Sequence, residues 1–91
     1  MNADARFAEL VAELKALVLE AAEKPAPDGG LGDEEPLFGA DARLNLDSLD
    51  ALQISMAVQQ RYGVRMTDSK ETRRALTSIA ELARHLIARQ A

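Results

Sequence analysis

The sequence predicts an all-α fold: three longer helices plus a short third helix, with a long first loop, in one domain over residues 1–91. Three observations carry that reading. Apolar residues recur at three- and four-residue spacing in separate stretches, no stretch alternates as a strand would, and chain breakers crowd into one segment. Ninety-one residues leave room for a single small core. With 47% hydrophobic but only 3% aromatic residues, that core must be aliphatic.

In the first helix, Phe7, Leu10, Val11, Leu14, Leu17, Val18 and Ala21 form one stripe, while Glu9, Glu13, Glu20 and Glu23 lie off it. Asn2 or Asp4 is placed to cap its start, and Pro25 stands just past its end. From Pro25 to Leu46 the chain is full of breakers: Pro25, Pro27, Gly29, Gly30, Gly32, Pro36 and Gly39. A structureless stretch of this length is uncommon in a small domain and points to function or mobility. Leu37, Phe38, Leu44 and Leu46 are expected to pin it to the core, with a short turn near Leu37-Phe38-Gly39. Gly29-Gly30-Leu31-Gly32 lacks the Gly-Lys-Ser/Thr ending of a phosphate loop and reads as a flexible bend.

The second helix is expected from Ser48 to Tyr62, stopped by Gly63. Leu49, Leu52, Met56 and Gln59 mark one line on it, and Ile54, Val58 and Tyr62 another, so its apolar face is broad; Met56 and Val58 are expected in the core. Asp68-Ser69-Lys70-Glu71 and Ser78-Ile79-Ala80-Glu81 both have capping-box spacing. The first opens a short helix to about Ala75. The second opens a last helix with Ile79, Leu82, Ala83, Leu86 and Ile87 on one face.

Composition removes several functions. A net charge of −4 and the lack of a basic stripe interleaved with aromatics argue against nucleic-acid binding. Without cysteine there is no disulfide, thiol nucleophile or Cys-based zinc site. The single His85 cannot build a metal site and is expected at the surface near a helix end. Asp41, Asn45 and Asp47 do not fit EF-hand spacing. No signal peptide or membrane span fits, so the cytoplasm is the expected compartment. Residues 1–50 hold twelve acids and four bases, residues 51–91 three acids and seven bases, which suggests a polarised surface.

Asp47-Ser48-Leu49 stands where the long loop meets the second helix. A serine there is either a helix cap or a hydroxyl presented beside unpaired N–H groups and the positive helix end, a place suited to a phosphate diester. No catalytic base is placed for it by sequence logic.

The stretch Asp47-Ser48-Leu49-Asp50-Ala51-Leu52, followed by Gln60-Arg61-Tyr62-Gly63-Val64, resembles the acyl carrier proteins. Pro36-Leu37-Phe38-Gly39 and Thr77-Ser78-Ile79 match the family's entries to its second and last helices. The resemblance covers about residues 6 to 89 and implies an acyl-carrier-like four-helix bundle. It implies that Ser48 carries 4′-phosphopantetheine, taken from coenzyme A by a magnesium-dependent phosphopantetheinyl transferase. The chain is then a carrier and a substrate of that enzyme, with no catalytic or metal residues of its own. Asp47 and Leu49 flank the attachment point: Asp47 is placed to cap the second helix or to help the transferase orient Ser48 and its metal, and Leu49 is either a core residue or a partner contact. Asp50, Gln53, Met56, Arg73 and Arg74 are the candidate partner contacts. The implied partners are the transferase and a ketosynthase, acyltransferase or acyl ligase, with the carrier a monomer. The lining Val11, Leu14, Leu52, Met56 and Ile79 is a candidate to part around an acyl chain.

The chain departs from the family where many members show glutamates on the second helix. Here Gln53, Gln59, Gln60 and Arg61 occupy those positions, and only Asp47 and Asp50 are acidic. That points away from a general fatty acid synthase and toward a dedicated pathway. The stretch Glu71 to Ser78 resembles specialised carriers of aryl-polyene or polyketide-like pathways. Three alternatives stay open: a stand-alone peptidyl or aminoacyl carrier, an unmodified helical adaptor binding a partner helix, and a regulatory subunit of an enzyme complex.

Overall fold

The stripe of the first segment forms a helix, α1 (Asn2–Ala22), in a computed structural model that describes residues 2–66 and 68–90. It is followed by α2 (Ser48–Tyr62), α3 (Ser69–Ala75) and α4 (Ile79–Gln90). Leu10, Val11, Leu14, Leu17, Val18 and Ala22 of α1 are buried, with Phe7 and Ala21 partly so. Their partners are Ile54 and Val58 of α2 and Ile79, Leu82, Ala83 and Leu86 of α4. α1 packs along both of these helices, and α3 closes the remaining side with smaller contacts to α2 and α4. The expected capping by Asn2 or Asp4 concerns side chains outside those described; the helix already includes both residues.

The end of α1 is sharper than its sequence suggests. Glu23 takes the left-handed conformation (φ 55°), and the Lys24 N–H donates to the Leu19 carbonyl at 2.9 Å. This is the wrap usually given to glycine. A side chain there costs about 1 kcal/mol, and Pro25 then prevents any return to helix.

The long loop is held at many points. Leu31, Leu37, Ala42, Leu44 and Leu46 are all buried, Leu37 completely, while Phe38 is only partly covered. Leu31 and Ala42 join the expected leucines in the core. Gly29–Gly32 is not a loose bend, because Arg43 ties it down. The Arg43 guanidinium donates to the carbonyls of Asp28 (2.8 Å) and Gly30 (2.9 Å) and to both oxygens of Glu35 (2.7 Å each). Glu35 also accepts the Gly32 N–H at 2.8 Å. The Arg43 hydrogen bonds, and after them that N–H, push the Glu35 carboxyl down to about 2.

The loop is also fastened to the helices. Lys15 of α1 pairs with Asp33 (2.6 Å), Arg84 of α4 pairs with Glu34 (2.6 Å), and the Asp33 carbonyl accepts the Ala80 N–H at the start of α4 (2.8 Å). Arg61 on α2 lies 3.7 Å from Glu13 on α1. Part of the contrast between acidic and basic halves is therefore spent inside the molecule, in exposed pairs that each add little stability.

Both expected capping boxes form only in part. Asp68 accepts from the Lys70 N–H (3.2 Å), while Glu71 reaches across to Arg89 of α4 (2.6 Å). Ser78 accepts from the Glu81 N–H (3.1 Å), while Glu81 pairs with Arg84 (2.7 Å). A long carboxylate beside an arginine gains more from a charge-assisted pair than from a neutral N–H.

Candidate phosphopantetheine attachment site

Ser48 reaches its position through three short connections. Asn45 turns the chain in the left-handed region (φ 48°), which asparagine tolerates better than most residues. The Leu46 N–H then donates to the Leu37 carbonyl (3.1 Å), and the Leu37 N–H donates to the Thr77 carbonyl (3.2 Å). Phe38 and Leu46 form an isolated parallel bridge. The start of α2 is thereby fixed to the turn between α3 and α4.

Asp47, not Ser48, caps α2. Its carboxylate accepts the Asp50 N–H at 3.0 Å, and the Asp50 carboxylate accepts the Asp47 N–H at 3.0 Å, a complete capping box built from two aspartates. The hydrogen bond from the Asp50 N–H holds the Asp47 carboxyl below its ordinary range. Ser48 is the first residue of the helix, is exposed, and its hydroxyl has no hydrogen-bond partner among the described residues. The cap reading of this serine is thus removed: the hydroxyl is presented rather than used.

Beside Ser48 a groove of about 680 Å³ opens between α2 and α3. α2 contributes Ser48, Ala51, Leu52 and Ser55, which recur at helical spacing on one side. Across from them stand Ser69, Thr72, Arg73 and Leu76, with Phe38, Leu46 and Met66 also lining the groove. Thr72 and Thr77 satisfy their hydroxyls on backbone carbonyls. Ser55 does not: its Oγ is inaccessible and unpartnered. Its place seven residues after Ser48 puts both on one helix face, but no local spacing signals that its hydroxyl is enclosed.

The other candidate residues divide. Leu49 (61% exposed), Leu52 (57%) and Met56 (57%) stand out as a surface patch. Met56 therefore does not join Val58 in the core, because Ile54 and Val58 alone fill the space facing α1. The proposed lining of Val11, Leu14, Leu52, Met56 and Ile79 is not one surface either. Val11, Leu14 and Ile79 are core, Leu52 borders the groove, and Met56 lies outside it. Gln53, Arg73 and Arg74 are exposed, and Asp50 is half-buried in the capping box. His85 is not a surface residue: its side chain is 18% exposed, and Nε2 lies 3.4 Å from Glu71 between α3 and α4. Among the described residues no group could hold a metal ion, and no helix is long and apolar enough to cross a membrane.

The family model for the phosphopantetheine attachment site matches residues 12–86. No curated protein and no solved structure matches the chain. Members of this family bear a covalent 4′-phosphopantetheine group, are modified by a phosphopantetheinyl transferase, and carry intermediates between biosynthetic enzymes without catalysing their reactions. The residues present suit such a group: a free, exposed hydroxyl opens a helix, and a groove with an unsatisfied hydroxyl runs beside it. With most of its length matched and all four helices in place, the chain belongs to the phosphopantetheine attachment site family and is a carrier protein.

Proposed function

We propose that Ser48 is the residue bearing 4′-phosphopantetheine, and that residues 1–91 form one attachment domain carrying acyl or polyketide-type intermediates for a dedicated pathway. The observation that carries this reading is the exposed, unpartnered Ser48 hydroxyl at the first turn of α2, with a groove at its side. In the transfer, the Ser48 oxygen bonds to the phosphorus that carries pantetheine, the pyrophosphate P–O bond of coenzyme A breaks, and 3′,5′-adenosine bisphosphate leaves. The group then supplies a thiol, which this cysteine-free chain lacks, to hold the cargo as a thioester. The chain's own residues orient and shelter. The helix start favours the phosphate, while the Asp47–Asp50 box fixes the backbone on which Ser48 sits and offers negative charge to the transferase's magnesium.

The face of α2 supports a dedicated pathway. Leu49, Leu52 and Met56 form its apolar centre. Its two acids, Asp47 and Asp50, are confined to the helix start, and Gln53, Gln59 and Gln60 beyond them are neutral. Asp50, Gln53, Met56, Arg73 and Arg74 are the proposed contacts to a ketosynthase, acyltransferase or acyl ligase. The exposed patch also suits an unmodified adaptor, and loading separates the two. Incubation with coenzyme A and a broad-specificity transferase is expected to add one phosphopantetheine to the intact mass. Ser48→Ala should abolish the gain. An unmodified wild type, or a gain that persists in the variant, overturns the assignment.

A further inference from the structure

Ser55 lies two helical turns beyond Ser48 on the same side of α2, roughly 10 Å along its axis. Its Oγ has no accessible surface and no partner, and the residue borders the groove. A buried hydroxyl in that condition forfeits its hydrogen bond with water and gains nothing in return. Serine within a helix commonly bonds the carbonyl four residues back, but this one does not. Of the other hydroxyls lining the groove, those of Thr72 and Thr77 bond backbone carbonyls, and Ser48 and Ser69 are exposed, so Ser55 alone is buried without a partner there. Phe38, Leu46, Met66 and Leu76 make the rest of the lining apolar. A saturated chain lying there would leave Ser55 as it is. A carbonyl oxygen reaching the same depth would accept its proton.

We propose that Ser55 is a specificity-determining residue: its hydroxyl donates to a carbonyl oxygen of the tethered group in the α2–α3 groove and favours oxygenated over saturated acyl cargo. The inference rests on attachment at Ser48. Three sources can provide the oxygen: an amide of the pantetheine arm, the thioester carbonyl present in every acyl form, or a further keto group of the cargo. The hydroxyl lies just beneath the groove surface, so a side-chain rotation accompanies loading. Leaving it unsatisfied in the unloaded carrier lowers stability there.

The test compares melting temperatures of wild type, Ser55→Ala and Ser55→Thr in four forms: unmodified, bearing the free-thiol arm, hexanoyl-loaded and 3-oxohexanoyl-loaded. Intact mass verifies each form, so failure to load counts against the Ser48 assignment and not against Ser55. In the unmodified form, which needs no loading, Ser55→Ala is expected to melt higher by about 4 °C or more, because an unpaid hydroxyl is removed. In wild type the 3-oxohexanoyl form should melt about 4 °C above the hexanoyl form. Ser55→Ala should erase that difference and Ser55→Thr, which keeps a hydroxyl, should retain it. If the Ser55-dependent gain is already complete in the free-thiol form the acceptor is an arm amide, if it is complete in the hexanoyl form the acceptor is the thioester carbonyl, and in either case the cargo preference is overturned. Identical spacing of the four melting temperatures in wild type and Ser55→Ala overturns the proposal as a whole.

Discussion

Tyr62 illustrates how one side chain joins two helices. Its hydroxyl donates to Glu13 on α1 at 2.9 Å, while Arg61 lies over its ring at 5.8 Å. Burial first, and then the Glu13 carboxylate, push the phenol up to about 12. In the unfolded chain it titrates near 10. The neutral phenol therefore adds stability that is whole below about pH 10 and is lost as pH rises toward 12. Tyr62 is the single tyrosine and there is no tryptophan, so ultraviolet titration reports it alone. The expected midpoint lies well above 10 while circular dichroism still shows helix, and Glu13→Gln should lower it. A native midpoint at 10 with helices intact contradicts the arrangement. Gly63 needs no such partners. Its φ of 71° ends α2, and the Gly63 N–H donates to the Gln59 carbonyl at 2.9 Å, as its glycine identity led one to expect.

At the scale of elements, the long loop behaves as a fifth packing unit. Its leucines reach the same core as the helices, and its carbonyls and carboxylates are bound by Lys15, Arg43, Arg84 and Ala80. Leu37 is fully buried, whereas Leu52 of α2 is 57% exposed. Leu37→Ala should cost about 2 to 5 kcal/mol in a denaturant melt, and Leu52→Ala only about 0.5 kcal/mol or less. Equal losses would show that the loop is not part of the core. Periodicity marked the helices because repeated spacing is a local property. It could not mark Leu31 or Ala42, which have no repeat and are buried by what passes over them. The same limit explains Met56: helical spacing identified an apolar line, but α1 covers only the line of Ile54 and Val58.

Across the whole molecule, the surface beside Ser48 differs from what sequence charge alone suggests. Asp47 and Asp50 keep their charge at the helix start, while Glu71 is paired with Arg89. Arg73 and Arg74 remain exposed on the α3 side. A partner with an acidic rim around an apolar centre complements this face. Replacing both with glutamate (Arg73→Glu with Arg74→Glu) should slow association with the proposed partner enzyme about tenfold at low salt, with the difference shrinking as salt rises. Melting temperature should change little. A partner that binds the double variant faster would reverse the expected sign of its surface.

The sequence by itself determined the four helices, the boundaries of α2 and the burial of Leu37, Leu44 and Leu46, and it singled out Ser48 as a candidate, because each rests on spacing or on a local turn preference. Tertiary structure decided what those residues do. It anchored the start of α2 to the turn before α4 through the Leu46–Leu37 and Leu37–Thr77 bonds, since those groups are distant in the chain. It exposed Leu49, Leu52 and Met56 and enclosed His85, since burial depends on neighbours distant in the chain. It also set Ser55 beside a groove with no partner for its hydroxyl, a condition that exists only once α2 and α3 are packed.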